Sequence, residues 1–274
     1  MFGRLKNFFR GIYKKFTKSN AYQKLKKFTL LRKLKIKIGK IIWKTAPYKF
    51  TLHGDPIAIE LFKRLVEKFK IDVIVETGTF RGFTTALFAQ MFPNVKIYTC
   101  EIDTFNYKKA KKYLKQFNNV WVFNQSSPEF LKELCEKNIL TNKTLFYLDA
   151  HWLDEWPLEQ ELRIISNNLK SALIVIDDFK VPNDTRFVFD EYEDKECSIE
   201  IVLPNISKKN RYNLLFPNYG EEIFKKEVAH PDLVGYITIF QNMSADFNSL
   251  MKIDFIKKFF LDESFINFSV SKNR

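Results

Sequence analysis

The chain has 274 residues, 46% of them hydrophobic and 28% charged, which suits one sizeable α/β domain with extensions. Its formal net charge of +13 is unevenly placed: residues 1–54 carry 16 Lys and Arg and no acid, so the remainder holds 45 − 16 = 29 basic against 32 acidic groups, a net of −3. Three dispersed cysteines, Cys100, Cys135 and Cys197, argue against a disulfide scaffold or a zinc site and for a reducing compartment, and no apolar run approaches the ~20 residues of a membrane span.

The first 54 residues read as a basic, amphipathic helical arm. Phe2, Leu5, Phe9, Ile12 and Phe16 recur at helical spacing, with Arg4, Lys6, Arg10, Lys14 and Lys15 at other angles. Leu25, Phe28, Leu31, Leu34, Ile38 and Ile41 repeat the pattern less cleanly. Arg4, Lys6 and Arg10 interrupt what a signal peptide would need as an apolar core, so the expected location is cytoplasmic, soluble or peripheral to a membrane. A basic face opposite a phenylalanine stripe over residues 1–49 fits an anionic membrane surface, because an interfacial helix uses both features. Packing of the stripe on the rest of the chain or on a partner gives the same pattern.

Asp55 stands where a helix N-cap belongs, with Pro56 at the first helical position, and the helix is expected to run to about Lys70. From there the chain alternates. Apolar strand patterns fall at 71–77, 95–102, 120–124, 143–150 and 172–178, and helical patterns fill the gaps at 82–92, 104–117, 128–137 and from Pro157, where Leu158, Leu162, Ile165 and Leu169 share a face. Five strands separated by helices predict a parallel sheet with right-handed crossovers. Residues 198–204 and 233–240 read as two further strands, giving seven, and 246–262 as another amphipathic stretch. The expected organisation is a basic arm (1–54), a catalytic domain (55–245) and a C-terminal helix and tail (246–274).

In an open parallel sheet, ligands bind outside the carboxyl ends of the strands. Polar residues gather at that one rim: Glu76-Thr77-Gly78-Thr79 and Gly82 after the first strand, Glu101 after the second, Gln125-Ser126 after the third, Asp149-Ala150-His151-Trp152 after the fourth, and Asp177-Asp178 after the fifth. Gly78 and Gly82 let a backbone pass close to a ligand, although a tight strand–helix turn would use glycines in the same way. An acid about 20 residues on, Glu101, is placed to take both hydroxyls of a ribose. Carboxylates converging at Asp149, Asp177 and Asp178 would repel one another unless a hard divalent cation such as Mg²⁺ sat among them; Asp177 or Asp178 capping a loop is the simpler alternative. His151 beside Asp149 could accept a proton from a hydroxyl, or be hydrogen-bonded in a loop. Trp152, Trp156 and Phe179 could wall an acceptor pocket or belong to the core. His53 and His230, next to turn residues, read as structural.

"VETGTFRGFTTALFA" followed by "YTCEID" resembles the first motif and second-strand acid of class I S-adenosylmethionine-dependent methyltransferases. "FYLDAHW" and "IVIDDF" resemble the fourth- and fifth-strand motifs of the metal-dependent O-methyltransferase branch, in the catechol and macrocin O-methyltransferase and cephalosporin hydroxylase-like groups. Over residues 55–240 the resemblance implies an α/β, Rossmann-like methyltransferase fold with a mainly parallel seven-stranded sheet. Glu76, Gly78, Thr79 and Gly82 would lie at the methionine part of S-adenosylmethionine, Glu101 at its ribose, and Gln125 and Ser126 at its adenine. Asp149, Asp177 and Asp178 would hold Mg²⁺ or another divalent cation, with His151 and Asp149 catalytic. Leu153 stands where the catechol enzymes carry a lysine, and Ala150 is an extra residue in the motif. The implied acceptor is a hydroxyl-bearing small molecule or glycan. A nucleic-acid methyltransferase using the basic arm fits less well, since the charge is not around the rim and a "DPPY"-type fourth-strand motif is absent. A non-catalytic or NAD-binding Rossmann protein would need a third glycine.

Overall fold

The computed structural model describes residues 51–150, 156–192, 195–220 and 233–262. The chain divides into two units at Pro47/Tyr48, and everything described belongs to the second. Residues 1–50 of the expected basic arm (1–54), with His151, Trp152 and His230, lie outside the described residues.

A short 3-10 turn at Thr51–Gly54 leads into helix α1 (Pro56–Phe69). Asp55 caps α1 as its sequence predicts, accepting from the N–H groups of Ile57 and Ala58 at 2.8 and 3.1 Å. The chain then runs through β1 (Val73–Thr77), α2 (Phe83–Met91), β2 (Lys96–Cys100), α3 (Thr104–Leu114), β3 (Val120–Phe123), α4 (Ser127–Glu136), β4 (Thr144–Leu148), α5 (Leu158–Asn168) and β5 (Ala172–Ile176). Every residue of β1, β4 and β5 is buried, as strands covered by helices on both faces must be.

Three small strands follow, β6 (Phe187–Val188), β7 (Glu191–Tyr192) and β8 (Lys195–Glu196), then α6 (Ile199–Asn205), β9 (Tyr212–Pro217), β10 (Leu233–Val234) and β11 (Ile237–Gln241). The described chain closes with α7 (Ser244–Leu250), α8 (Asp254–Phe259) and β12 (Phe260–Asp262). The main sheet has the order β12-β9-β11-β5-β4-β1-β2-β3. Strands β3, β2, β1, β4 and β5 pair in parallel, whereas β11 runs antiparallel to both β5 and β9. The chain winds outward from β1 through β2 to β3, then returns to β4 and continues to β5. The switch point therefore lies between the carboxyl ends of β1 and β4, which is the Rossmann-like arrangement expected from the alternation.

Three expectations need correction. The main sheet has eight strands rather than seven, because Phe260–Asp262 of the supposed amphipathic tail pairs antiparallel with β9. The stretch 198–204 is taken up by helix α6 (Ile199–Asn205) with Ser198 as its N-cap, and the next strand is β9 instead. The sequence "SIEIVLP" satisfies both periods, but Ser198, Val202, Asn205 and Ile206 are the buried positions, which is helical spacing. The run 233–240 is two strands, not one. It breaks at Gly235, where an added Cβ would overlap the Phe179 carbonyl oxygen and where Phe179 N–H donates to the Gly235 carbonyl at 2.8 Å.

Candidate functional site at the carboxyl rim

The rim has two ends of different chemistry. At the β1–β2 end, Glu101 is buried and its carboxylate is fixed by backbone donors: Phe80 N–H reaches Oε2 at 2.7 Å and Asp103 N–H reaches Oε1 at 2.8 Å. Charge-assisted bonds of this kind orient the group firmly. Asp103 also caps α3 through Asn106 N–H, so one short turn supplies both the acid and the helix start. Phe80, Ile102 and Phe105 stand exposed around it, with the Arg81 guanidinium 5.5 Å from both phenyl rings. The sequence does not mark that apolar shelf beside an oriented acid, because phenylalanine is common throughout this chain.

Glu76 lies at the end of β1, buried, and accepts from the hydroxyls of Thr85 and of Thr99, the latter at 2.7 Å. Burial pushes its carboxyl up to about 7 against the pull of those two hydroxyls, with Glu101 adding to the rise. Thr79 is likewise buried and exchanges a 2.5 Å hydrogen bond with Thr99. Gly78 (φ +84) sits so close to β4 that a Cβ would overlap the Asp149 carbonyl oxygen; Gly82 (φ +82) faces the Leu114 side chain. Both glycines are required by their left-handed backbone and by packing against the protein itself. The side chains of Gln125 and Ser126 are engaged by helix α4, with Gln125 Nε2 donating to Glu133 at 2.9 Å and Ser126 Oγ to Glu129 at 2.7 Å.

At the β4–β5 end, Asp149 is half-buried, and among the described residues its carboxylate has no hydrogen-bond donor. Burial pushes it well above the usual carboxylate range, and Asp177 and Asp178 push it further. Asp177 is buried and accepts from the Tyr147 hydroxyl at 2.6 Å. Asp178, at a left-handed φ of +49, is raised to about 8, first by burial and then by Asp177 and Asp190, with His53 opposing. The three acids that the sequence proposed as a cation site thus share one electrostatic environment.

His53, read from sequence as structural, joins them. Its Nε2 lies 2.8 Å from Asp177 Oδ2 and 3.8 Å from Asp178 Oδ1, across 124 residues of chain from Asp177. Burial lowers the imidazole pKa, but the carboxylates of Asp177, Asp178 and Asp55 outweigh it and carry it to about 10. Behind this group, Tyr219 donates to Asp55 Oδ2 at 2.5 Å and exchanges a 3.0 Å bond with Tyr236. A cavity of about 10 Å³, room for roughly one water, lies between the two sets of polar groups. Of the proposed pocket walls, Phe179 is wholly buried 6.2 Å from Phe216, and Trp156 packs against the core.

No family model and no curated protein matches this sequence. Solved structures do resemble it. A Klebsiella pneumoniae protein provisionally assigned as an O-methyltransferase is 17% identical over 69% of this chain and 81% of its own, with a TM-score of 0.49. A Staphylococcus aureus protein provisionally assigned as a caffeoyl-CoA O-methyltransferase is 15% identical over 77% and 99%, with a TM-score of 0.48. An O-methyltransferase from Bacillus cereus, solved in complex with SAH, is 16% identical over 68% and 81%, with a TM-score of 0.46. Likenesses this distant transfer no residue roles, so the reading of the rim stands on its own geometry. No described helix is long and apolar enough to cross a membrane.

Proposed function

We propose that the chain is an S-adenosylmethionine-dependent O-methyltransferase that acts on a hydroxyl-bearing small molecule or glycan with the help of a divalent cation. The observation that carries this reading is the division of one rim: an oriented, buried acid beside an apolar shelf at β1–β2, and a cluster of carboxylates across the switch point at β4–β5. S-adenosylmethionine would supply an electrophilic methyl group, and the cation would make an acceptor hydroxyl more acidic.

Glu101 offers its oriented carboxylate to the ribose hydroxyls, and Phe80 and Ile102 offer apolar surface beside it. Glu76, Gly78, Thr79 and Gly82 border the methionine part. Gln125 and Ser126, their side chains held by α4, would meet the adenine through the backbone. Asp149, Asp177 and Asp178 fit a hard cation by donor type, because each offers carboxylate oxygen and Asp177 raises the proton affinity of both Asp149 and Asp178. His151 is the proposed base for the acceptor hydroxyl. The arm of residues 1–49 would hold the enzyme at an anionic membrane near its acceptor.

Calorimetry with S-adenosylmethionine and its demethylated product tests the central claim. Binding at micromolar strength is expected, and Glu101→Ala should weaken it by about 1.5–3 kcal/mol through lost charge-assisted hydrogen bonds. Binding of neither ligand, or a preference for NAD, would overturn the reading; turnover indifferent to EDTA would remove the cation from it.

A further inference from the structure

We propose that His53 is a ligand of the divalent cation at the ends of β4 and β5, together with Asp177 and Asp178, making a mixed nitrogen–oxygen site that favours Mn²⁺ over Mg²⁺. The inference rests on reading this rim as a cation site at all. Its basis is geometric. One ligand atom from each of His53, Asp177 and Asp178 lies within 4.8 Å of the others, and His53 Nε2 is 2.8 and 3.8 Å from the two carboxylate oxygens. Ligands about 2.0–2.2 Å from a shared ion stand roughly 3 Å apart when adjacent and roughly 4 Å apart when opposed. The two His53 separations fall in that range.

The backbone is bent to make this meeting possible. Leu52, His53 and Gly54 take consecutive left-handed φ values of 46, 55 and 71, and Asp178 opposite has φ 49. Non-glycine residues held there cost free energy, and such strain gathers at functional sites. A simple ion pair would need His53 and one acid. Here Asp177 also accepts from Tyr147, and Asp178 offers a second carboxylate oxygen to the same imidazole nitrogen at 3.8 Å. Imidazole is a donor that first-row transition metals accept readily, whereas Mg²⁺ prefers an all-oxygen shell.

The test uses the full chain, stripped of metal by chelation, with Mn²⁺ as the probe. Pulsed electron paramagnetic resonance of bound Mn²⁺ should show coupling to an imidazole nitrogen. That coupling should vanish in His53→Gly, which keeps the left-handed backbone accessible, and persist in His151→Ala. Mn²⁺ affinity should fall at least about tenfold in His53→Gly, since loss of even an outer-shell partner costs that much, and Mg²⁺ should bind the wild-type protein more weakly than Mn²⁺. Bound Mn²⁺ without nitrogen coupling in the wild-type protein would overturn the role of His53 whatever the folding of the variants. Coupling lost only in His151→Ala would do the same, and either result leaves the cation reading standing. Mn²⁺ binding that is absent, or unaffected by Asp177→Asn, would instead overturn the cation reading itself.

Discussion

Replacing Glu161 by Gln keeps the side-chain shape and removes a charge from a place with little to stabilise it. Glu161 lies on α5, fully buried, with the Ser127 and Thr77 hydroxyls as its hydrogen-bonding neighbours and no cation among the groups that shift it. Burial pushes its carboxyl from 4.5 up to about 7, against a smaller pull from Ser127 and Thr77. At about 1.36 kcal/mol for each power of ten, that difference corresponds to roughly 3 kcal/mol. The folded value is raised above the unfolded one, so the penalty is absent below about pH 4.5, grows between 4.5 and 7, and is complete above 7. An amide in the same place leaves some polar capacity unmet, at a cost of order 1 kcal/mol. Glu161→Gln should therefore be more stable than the wild-type protein by about 1–3 kcal/mol at pH 8, and close to it at pH 5. Urea unfolding followed by circular dichroism at both pH values, with unchanged denaturant slopes, measures this directly. A variant no more stable at pH 8, or a gain of the same size at pH 5, would refute the argument from burial.

The two glycines of the first turn should respond differently to alanine. Gly78→Ala drives a Cβ into the Asp149 backbone, which cannot move without disturbing β4, so a loss above about 2 kcal/mol is expected. Gly82→Ala meets only the Leu114 side chain, which can rotate, and should cost nearer 1 kcal/mol; equal melting temperatures for the two variants would contradict this. His151→Ala should lower turnover by roughly 10²–10⁴ with cofactor affinity intact, and normal turnover would return it to a structural role. Full-length protein should sediment with anionic liposomes and lose this at high salt, while a chain starting near Thr51 should not. Equal behaviour of the two, or tighter binding to RNA than to liposomes, would end the membrane reading.

Much of the fold was legible because its signals are local. Asp55-Pro56 marks a helix start through its own backbone donors, the apolar runs of β1, β4 and β5 mark strands buried on both faces, and the alternation restricts the topology to a parallel sheet with crossovers. The rim acids followed from the rule that such strands deliver ligands at their carboxyl ends, and Glu101, Asp149, Asp177 and Asp178 stand there. "SIEIVLP" was not legible, since it fits helix and strand equally and only packing beside α5 selects the helix. The eighth strand depends on β9 offering an edge to Phe260–Asp262. Sequence alone determined which residues stand at the ends of the strands, because period and capping act over a few residues. Only the tertiary structure decided what those residues meet: it carried His53 across 124 residues to Asp177 and buried Glu161 against Thr77 and Ser127, since long-range proximity is set by how the layers pack.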